Sequence, residues 1–212
     1  MHPVKELFYS LLCPPPHYCY LCQEERIIGD DGLCDECRNN LKRPILPAPT
    51  EYLDGLTAGV VYTDELARLL LQFKNKERLD YAPFLSQFIH IPKEWYAELL
   101  VPVPLYWKQQ YIRTYNQCYV LSEYISSEYG IPICAELLKR TRETSQQKSL
   151  SGSERRKNLK GAFEAAPECA GRTIVLIDDV VTTGSTLNEC AKTLKKAGAR
   201  RVYGACIACS IR

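Results

Sequence analysis

The sequence predicts an α/β protein, a mainly parallel sheet flanked by helices, with a small N-terminal metal-binding module. Three observations lead there. From residue 56 to the end, β-branched apolar runs alternate with segments whose apolar residues recur at helical spacing. The run Thr173 to Ile177 is apolar without interruption, as in a strand buried on both faces. Near the start, two C-x-x-C pairs precede a proline-rich run. The chain has 212 residues, 46% of them hydrophobic and 25% charged, enough for one good-sized domain with a small attachment.

Composition excludes several classes. No apolar run reaches about 18 residues, so no membrane span is expected. The first residues, MHPVKELFYSLLCPPP, lack a small-residue cleavage site and do not read as a signal peptide. A cytoplasmic location is expected. The 11 cysteines then belong to metal ligands and small core positions rather than to disulfides. The net charge of +2 is too small to argue for nucleic acid by itself.

Residues 1–43 are expected to form the metal module. Cys19, Cys22, Cys34 and Cys37 make two chelating turns, and four thiolates complete a tetrahedron around structural Zn²⁺ with no open position. Gly29 and Gly32 let the chain turn back between the pairs. A redox dithiol would need a thioredoxin-like context, which is missing. Cys13 and His17 are further candidate ligands, read here as residues packed under the ribbon. The apolar content is too small for a separate core, so metal binding belongs to folding.

Residues 44–55 read as a linker. Pro44, Pro47 and Pro49 stiffen and extend it. The main domain is expected over 56–212. Leu56 to Tyr62 predicts a strand. Glu65 to Phe73 predicts a helix with Leu66, Leu69, Leu70 and Phe73 on one face. A second helix is expected over Tyr81 to Ile89, and a strand over Glu98 to Val103, stopped by Pro102 and Pro104. A polar, aromatic stretch from Leu105 to Gln117 leads into a helix to about Tyr129. Pro132 to Leu138 and Val202 to Ala208 predict further strands. Ligands of such sheets lie at the carboxyl ends of the strands, where these segments should converge.

The stretch Arg172 to Ala199 organises the domain. Its strand ends in Asp178 and Asp179. The turn Thr182-Thr183-Gly184-Ser185-Thr186 follows, and then Leu187, Cys190, Ala191, Leu194 and Ala197 recur at helical spacing up to Gly198. Unpaired N–H groups at the helix start, with four hydroxyls beside them, fit a phosphate. The two carboxylates fit a sugar diol, or Mg²⁺ reached through water. A Walker-type loop is excluded because no Gly-Lys-Ser/Thr follows. The glycines of a dinucleotide-binding turn are missing as well.

Residues 139–160 hold eight basic and two acidic residues, so the segment carries net +6 and the rest of the chain net −4. Lys148, Arg155, Arg156 and Lys157 belong to it. A solvated loop has such a composition. So does a lid closing over a pyrophosphate, or a tract following a nucleic-acid backbone with Tyr106, Trp107, Tyr111 and Tyr115 as stacking faces.

The turn after the acid pair resembles the PRPP-binding motif of type I phosphoribosyltransferases, PRPP being phosphoribosyl pyrophosphate. That resemblance implies that Asp178 and Asp179 hold the ribose hydroxyls and that Thr182 to Thr186 hold the 5′-phosphate. Four further features stand in order: the paired C-x-x-C knuckles, Val101-Pro102-Val103-Pro104, Arg113-Thr114-Tyr115-Asn116-Gln117, and Arg140…Thr144-x-x-Gln147-x-x-Leu150…Arg155-x-x-Asn158. Together they resemble the ComF competence family, which joins a zinc finger to a phosphoribosyltransferase domain. The family usually has Arg-Gly-Phe-Asn-Gln where this chain has Thr114 and Tyr115, and a threonine takes positive φ less readily than a glycine.

The resemblance implies DNA handling during natural transformation, with single-stranded DNA as partner and a DNA-uptake helicase or other competence proteins as possible associates. Two readings remain open. As an enzyme, the chain would bind PRPP with Mg²⁺ and transfer the ribosyl group to a nitrogen nucleophile. Lys74, Arg113 or Arg140 would neutralise the leaving pyrophosphate. As a binding protein, the domain would be a phosphate-recognising scaffold, with the zinc module and basic segment holding the strand.

Overall fold

The computed structural model describes residues 18–48, 50–75, 78–107, 111, 113–142 and 159–210. Two compact units divide the chain, Met1–Leu41 and Lys42–Arg212. Cys13 and His17 lie outside the described residues, as do Lys148, Arg155, Arg156 and Lys157.

In the first unit, isolated antiparallel bridges Tyr18↔Glu25 and Ile28↔Cys34 fold the chain into two small turns. A short helix, α1 (Asp35–Asn40), follows. The Cys34 thiol caps it by accepting the Cys37 N–H. Arg38 ties the unit to itself through Asp31 (2.8 and 2.7 Å), Asp35 (2.7 Å) and the Leu33 carbonyl (3.1 Å). The guanidinium holds the Asp31 carboxyl down to about 2.

The second unit is built on a parallel sheet. Its strands are β1 (Gly55–Val61), β2 (Leu99–Pro102), β5 (Thr173–Val181) and β6 (Arg201–Cys209), in the order β1-β6-β5-β2. Residues 132–134 add a bridge beyond β2, Leu100↔Ile133, with two flanking hydrogen bonds of 2.9 Å. A second sheet pairs β3 (Leu138–Arg140) with β4 (Phe163–Ala165), antiparallel. The helices are α2 (Asp64–Lys74), α3 (Ala82–Ser86), α4 (Gln117–Tyr129) and α5 (Ser185–Lys196). Helix α4 packs on β2 and β5, and α5 on β4, β5 and β6.

The elements follow from their residues. Thr63 caps α2, and Leu66, Leu69, Leu70 and Phe73 are its buried face, as their spacing predicts. In α5 the buried stripe is Leu187, Cys190, Ala191 and Leu194. Each buried leucine contributes about 1.5–3 kcal/mol relative to exposure. Gly59 in β1 permits a close crossing, since a Cβ there would stand 2.1 Å from the Phe88 carbonyl oxygen.

Three expectations were too simple. Strand β5 runs past the acid pair to Val181, because the ladder to β6 continues through Val180↔Ala208 and Val181↔Cys209. The helix expected over 81–89 is a 3-10 turn at Leu79–Tyr81 followed by the short α3. The strand expected over 132–138 breaks after its bridge. A 3-10 turn at Ala135–Leu137 redirects the chain, and Leu138 joins the second sheet instead.

The amino ends of the strands are tied by acids. Asp54, just before β1, accepts the Val202 N–H (2.7 Å), Arg201 (2.8 Å) and Lys195 (2.6 Å). Glu98, just before β2, accepts the Thr173 N–H (2.7 Å) and Arg200 (3.0 Å). Burial would raise the Asp54 carboxyl, but Lys195, the Val202 N–H and Arg201 outweigh it and hold the group below its ordinary value. The loop before α4 is set by Asn116, whose Oδ1 accepts the Cys118 N–H (2.9 Å) while Nδ2 donates to the Val103 carbonyl (3.0 Å). Thr114 takes the left-handed conformation there, with φ 63°.

Asp54→Asn should destabilise the protein by about 1–3 kcal/mol at pH 7 in urea titrations. A depressed carboxyl stabilises above its unfolded pKa of about 4, and this is lost as pH falls through the folded value. The gap between variant and parent should therefore close in acid and stay constant above about pH 5. Thr114→Gly should raise stability by roughly 0.5–1 kcal/mol, because relief of a left-handed β-branched residue exceeds the added unfolded-state entropy.

Candidate functional site

Strand β5 delivers Asp178 and Asp179 near its carboxyl end. Asp179 is buried at 7% exposure, and Asp178 is partly exposed. Their backbone neighbours satisfy part of the charge. The Asp179 N–H donates to Asp178 Oδ1 (2.9 Å), and the Val180 N–H donates to Asp179 Oδ1 (2.8 Å). Lys74, the last residue of α2, forms an ion pair with Asp179 Oδ2. From α4, the Cys118 thiol donates to Asp178 Oδ1 (3.5 Å).

The electrostatics follow from this crowding. Burial and the adjacent Asp179 charge push Asp178 up to about 7. Burial alone would lower the Lys74 ammonium, but Asp179, with Asp178 behind it, more than offsets this and raises it. Burial and the Asp178 charge push the Cys118 thiol well up, so it remains a neutral donor.

Beyond the acids the chain turns into α5. Gly184 caps the helix with φ 71°, a conformation that favours glycine, and no side chain caps the helix start. The Asn188 N–H finds the Gly184 carbonyl (2.8 Å), which leaves the N–H groups of the first turn directed outward. Thr183 and Ser185 share a 2.8 Å hydroxyl contact beside them. This is an anion-binding geometry: oriented N–H groups, the positive end of a helix dipole and hydroxyl donors. The acid pair next to it can take sugar hydroxyls.

A cleft of about 670 Å³ opens between the end of β2, the start of α4 and β3, and the acid pair is not part of its lining. Its walls include Trp107, Tyr115, Asn116, Tyr119, Glu136 and Arg140. Tyr115 packs edge-on against Phe73, beside Lys74, and Pro102 in the wall pairs with Ile177, beside Asp178. Trp107 is 60% exposed and Tyr119 40%. Arg140 lies 5.8 Å over the Phe163 ring, and burial pulls its guanidinium below its ordinary value, opposed in part by the Asp178 charge.

The structure thus brings Lys74, Asp178, Asp179 and the turn 182–186 together, with Arg140 close enough for Asp178 to act on its charge. Arg113 donates to Gln117 Oε1 (3.2 Å) at the start of α4. Nothing in the sequence marks Cys118. Its partner lies 60 residues away, and a cysteine after Asn-Gln carries no spacing signal.

In the first unit, the sulfurs of Cys19, Cys22, Cys34 and Cys37 all lie within 4.8 Å of one another, a set that can hold a metal ion. Backbone N–H groups point at these sulfurs, with Cys34 N–H to Cys19 and Cys37 N–H to Cys34 both at 3.4 Å. Burial opposes the Cys19 thiolate, but the N–H groups of Cys22, Cys34 and Leu21 bring the thiol down to about 7. No helix among the described residues is long and apolar enough to cross a membrane.

Residues 116–210 match the family described as phosphoribosyl transferase domain. Competence protein F of Haemophilus influenzae is 44% identical over 108 residues, covering 50% of this chain and 47% of that protein. The chain thus spans about half the length of that relative. Competence protein ComFC of Bacillus subtilis is 25% identical over 86% of this chain and 73% of its own. The DNA utilization protein YhgH of Escherichia coli O157:H7 is 30% identical over 91% of this chain and 96% of its own length. With that coverage added to a phosphoribosyltransferase domain and a four-cysteine cluster, the chain belongs to the ComF family.

Proposed function

We propose that this chain binds PRPP, or a related sugar phosphate, and uses that domain in handling single-stranded DNA during uptake. The observation that carries the reading is the convergence of Lys74, Asp178 and Asp179 with the uncapped start of α5. The turn 182–186 takes the 5′-phosphate, and the acid pair takes the ribose hydroxyls. Mg²⁺ would accompany the pyrophosphate and neutralise its oxygens, with Arg113 and Arg140 as additional positive charge. The names of the relatives, competence and DNA utilization proteins, support the DNA role.

For the strand itself, the exposed rings of Trp107 and Tyr119 offer stacking faces at a cleft that also holds Lys139 and Arg140. Base–aromatic stacking is worth about 1–3 kcal/mol per base and tolerates sequence. The basic residues Lys148, Arg155, Arg156 and Lys157 add backbone attraction. A DNA-uptake helicase or another competence protein is a further partner of this reading. In the first unit the four thiolates hold Zn²⁺ as a closed, structural site.

The presence of both acids favours a second reading, pentosyl transfer. The nitrogen lone pair attacks the anomeric carbon as the bond to pyrophosphate breaks. Pyrophosphate leaves with the bonding pair, and the nitrogen proton passes to solvent. The charged, oxocarbenium-like centre then benefits from the acid pair.

Anisotropy of a labelled single-stranded oligonucleotide should show binding that weakens steeply from low to physiological salt. In the same titration PRPP with Mg²⁺ should bind the parent, and Asp179→Asn should lose about 10–100-fold in PRPP affinity. Unchanged PRPP affinity would remove the acid pair from the reading, and absence of DNA binding at low salt would remove the strand. Cys22→Ser or Cys37→Ser should lower bound zinc below one per chain and lower the melting temperature. Full zinc content with unchanged melting would exclude the metal assignment.

A further inference from the structure

The acid pair has four carboxylate oxygens. Asp178 Oδ1 takes the Asp179 N–H (2.9 Å) and the Cys118 thiol (3.5 Å). Asp179 Oδ1 takes the Val180 N–H (2.8 Å). Asp179 Oδ2 takes the Lys74 ammonium. Among the described residues Asp178 Oδ2 carries no donor, and buried Asp179 Oδ2 has the Lys74 ammonium as its ion-pair partner and no other donor. A directly bound Mg²⁺ demands near-octahedral oxygens at about 2.0–2.1 Å and gives up its waters reluctantly. One open oxygen beside a fixed ammonium is a poor site for it.

The ammonium, in contrast, is built in. Lys74 ends α2, where the carbonyl end of the helix dipole favours a cation. Its side chain is 26% exposed and that of Asp179 9%, so the pair is largely shielded from water. Phe73, fully buried, anchors the backbone one residue before it, and the Tyr115 ring packs on Phe73. A lysine presents three N–H donors and spends one on Asp179. A sugar hydroxyl needs one donor and one acceptor. Lys74 can supply the donor and Asp178 Oδ2 the acceptor, and the two groups are near enough for the Asp178 charge to act on the ammonium.

We propose that Lys74 is the resident cation of the acid pair, so that the ribose-phosphate half of a ligand binds without a divalent metal. Mg²⁺ then belongs to the pyrophosphate half of PRPP and not to the carboxylates. The inference rests on the sugar-phosphate reading above and goes beyond it by assigning the cation that the acids use.

Isothermal titration with ribose 5-phosphate, in EDTA and in Mg²⁺, tests it on the full chain. The parent should bind with affinities within about twofold in the two buffers. Lys74→Met, which keeps the apolar stem, should bind about tenfold more weakly in EDTA and recover several-fold when Mg²⁺ fills the vacated position. Lys74→Arg should keep the metal independence, and melting curves of both variants report whether they fold. Binding of ribose 5-phosphate by the parent only with Mg²⁺ would overturn the inference, as would a folded Lys74→Met with parental affinity in EDTA. PRPP with Mg²⁺ is the control. If it binds while ribose 5-phosphate does not, the inference fails and the sugar-phosphate reading stands. If neither binds, the sugar-phosphate reading itself falls.

Discussion

Two adjacent carboxylates near the end of a buried central strand are the constraint around which the second unit is arranged. A charge removed from water must be paired or neutralised. Here the two acids are treated differently. Asp179 is inside, and it is matched by a lysine brought from α2 and by the next backbone N–H. Asp178 is partly exposed, yet burial and then the Asp179 charge push it up, and a thiol rather than a cation donates to it. The placement of α2 and α4 around β5 thus has an electrostatic purpose as well as an apolar one. Each helix carries one donor to one acid at the end of a stripe of buried side chains.

The sheet is polarised along its strands. At the amino ends, Asp54 and Glu98 precede the two outer strands β1 and β2, and each reaches across to a backbone N–H of a central strand. Arg201, the first residue of β6, closes the Asp54 cluster, and Arg200 just before it closes the Glu98 cluster. These are satisfied networks whose role is to fix register. At the carboxyl ends the arrangement is reversed: a helix start without a side-chain cap, partly exposed hydroxyls and an acid at the rim. Stability is concentrated at one edge and recognition chemistry at the other, which is where a parallel α/β sheet offers its ligand crevice.

The legible parts of the chain were those in which one local pattern decides the outcome. Leu66, Leu69, Leu70 and Phe73 lie on one helical face because their spacing allows nothing else. The acid pair and the Thr-Thr-Gly-Ser-Thr turn were visible because charge next to a continuous apolar run is conspicuous. What stayed hidden was pairing. Lys74 and Asp179 lie far apart in the chain, and no spacing announces that they meet. Cys118 looked like any small core residue. Leu138 looked like the end of a strand, whereas its partner Ala165 lies beyond a long polar segment and turns it into a second sheet. At Thr114 the residue type argued against a left-handed backbone, and the surrounding loop imposed one. Tertiary context overrides local preference where a loop is held at both ends, as this one is by Asn116 and Val103.

Cys34 is both a cluster thiol and the capping residue of α1, with its sulfur receiving the Cys37 N–H. Cys37 lies in the first turns of the same helix and supplies another sulfur of the cluster. Helix nucleation and assembly of the sulfur tetrad are therefore one event. A helix of six residues is too short to persist on its own. The helix therefore leans on the sulfur cluster that caps it, and a change that removes one of those thiols would reach the helix as well.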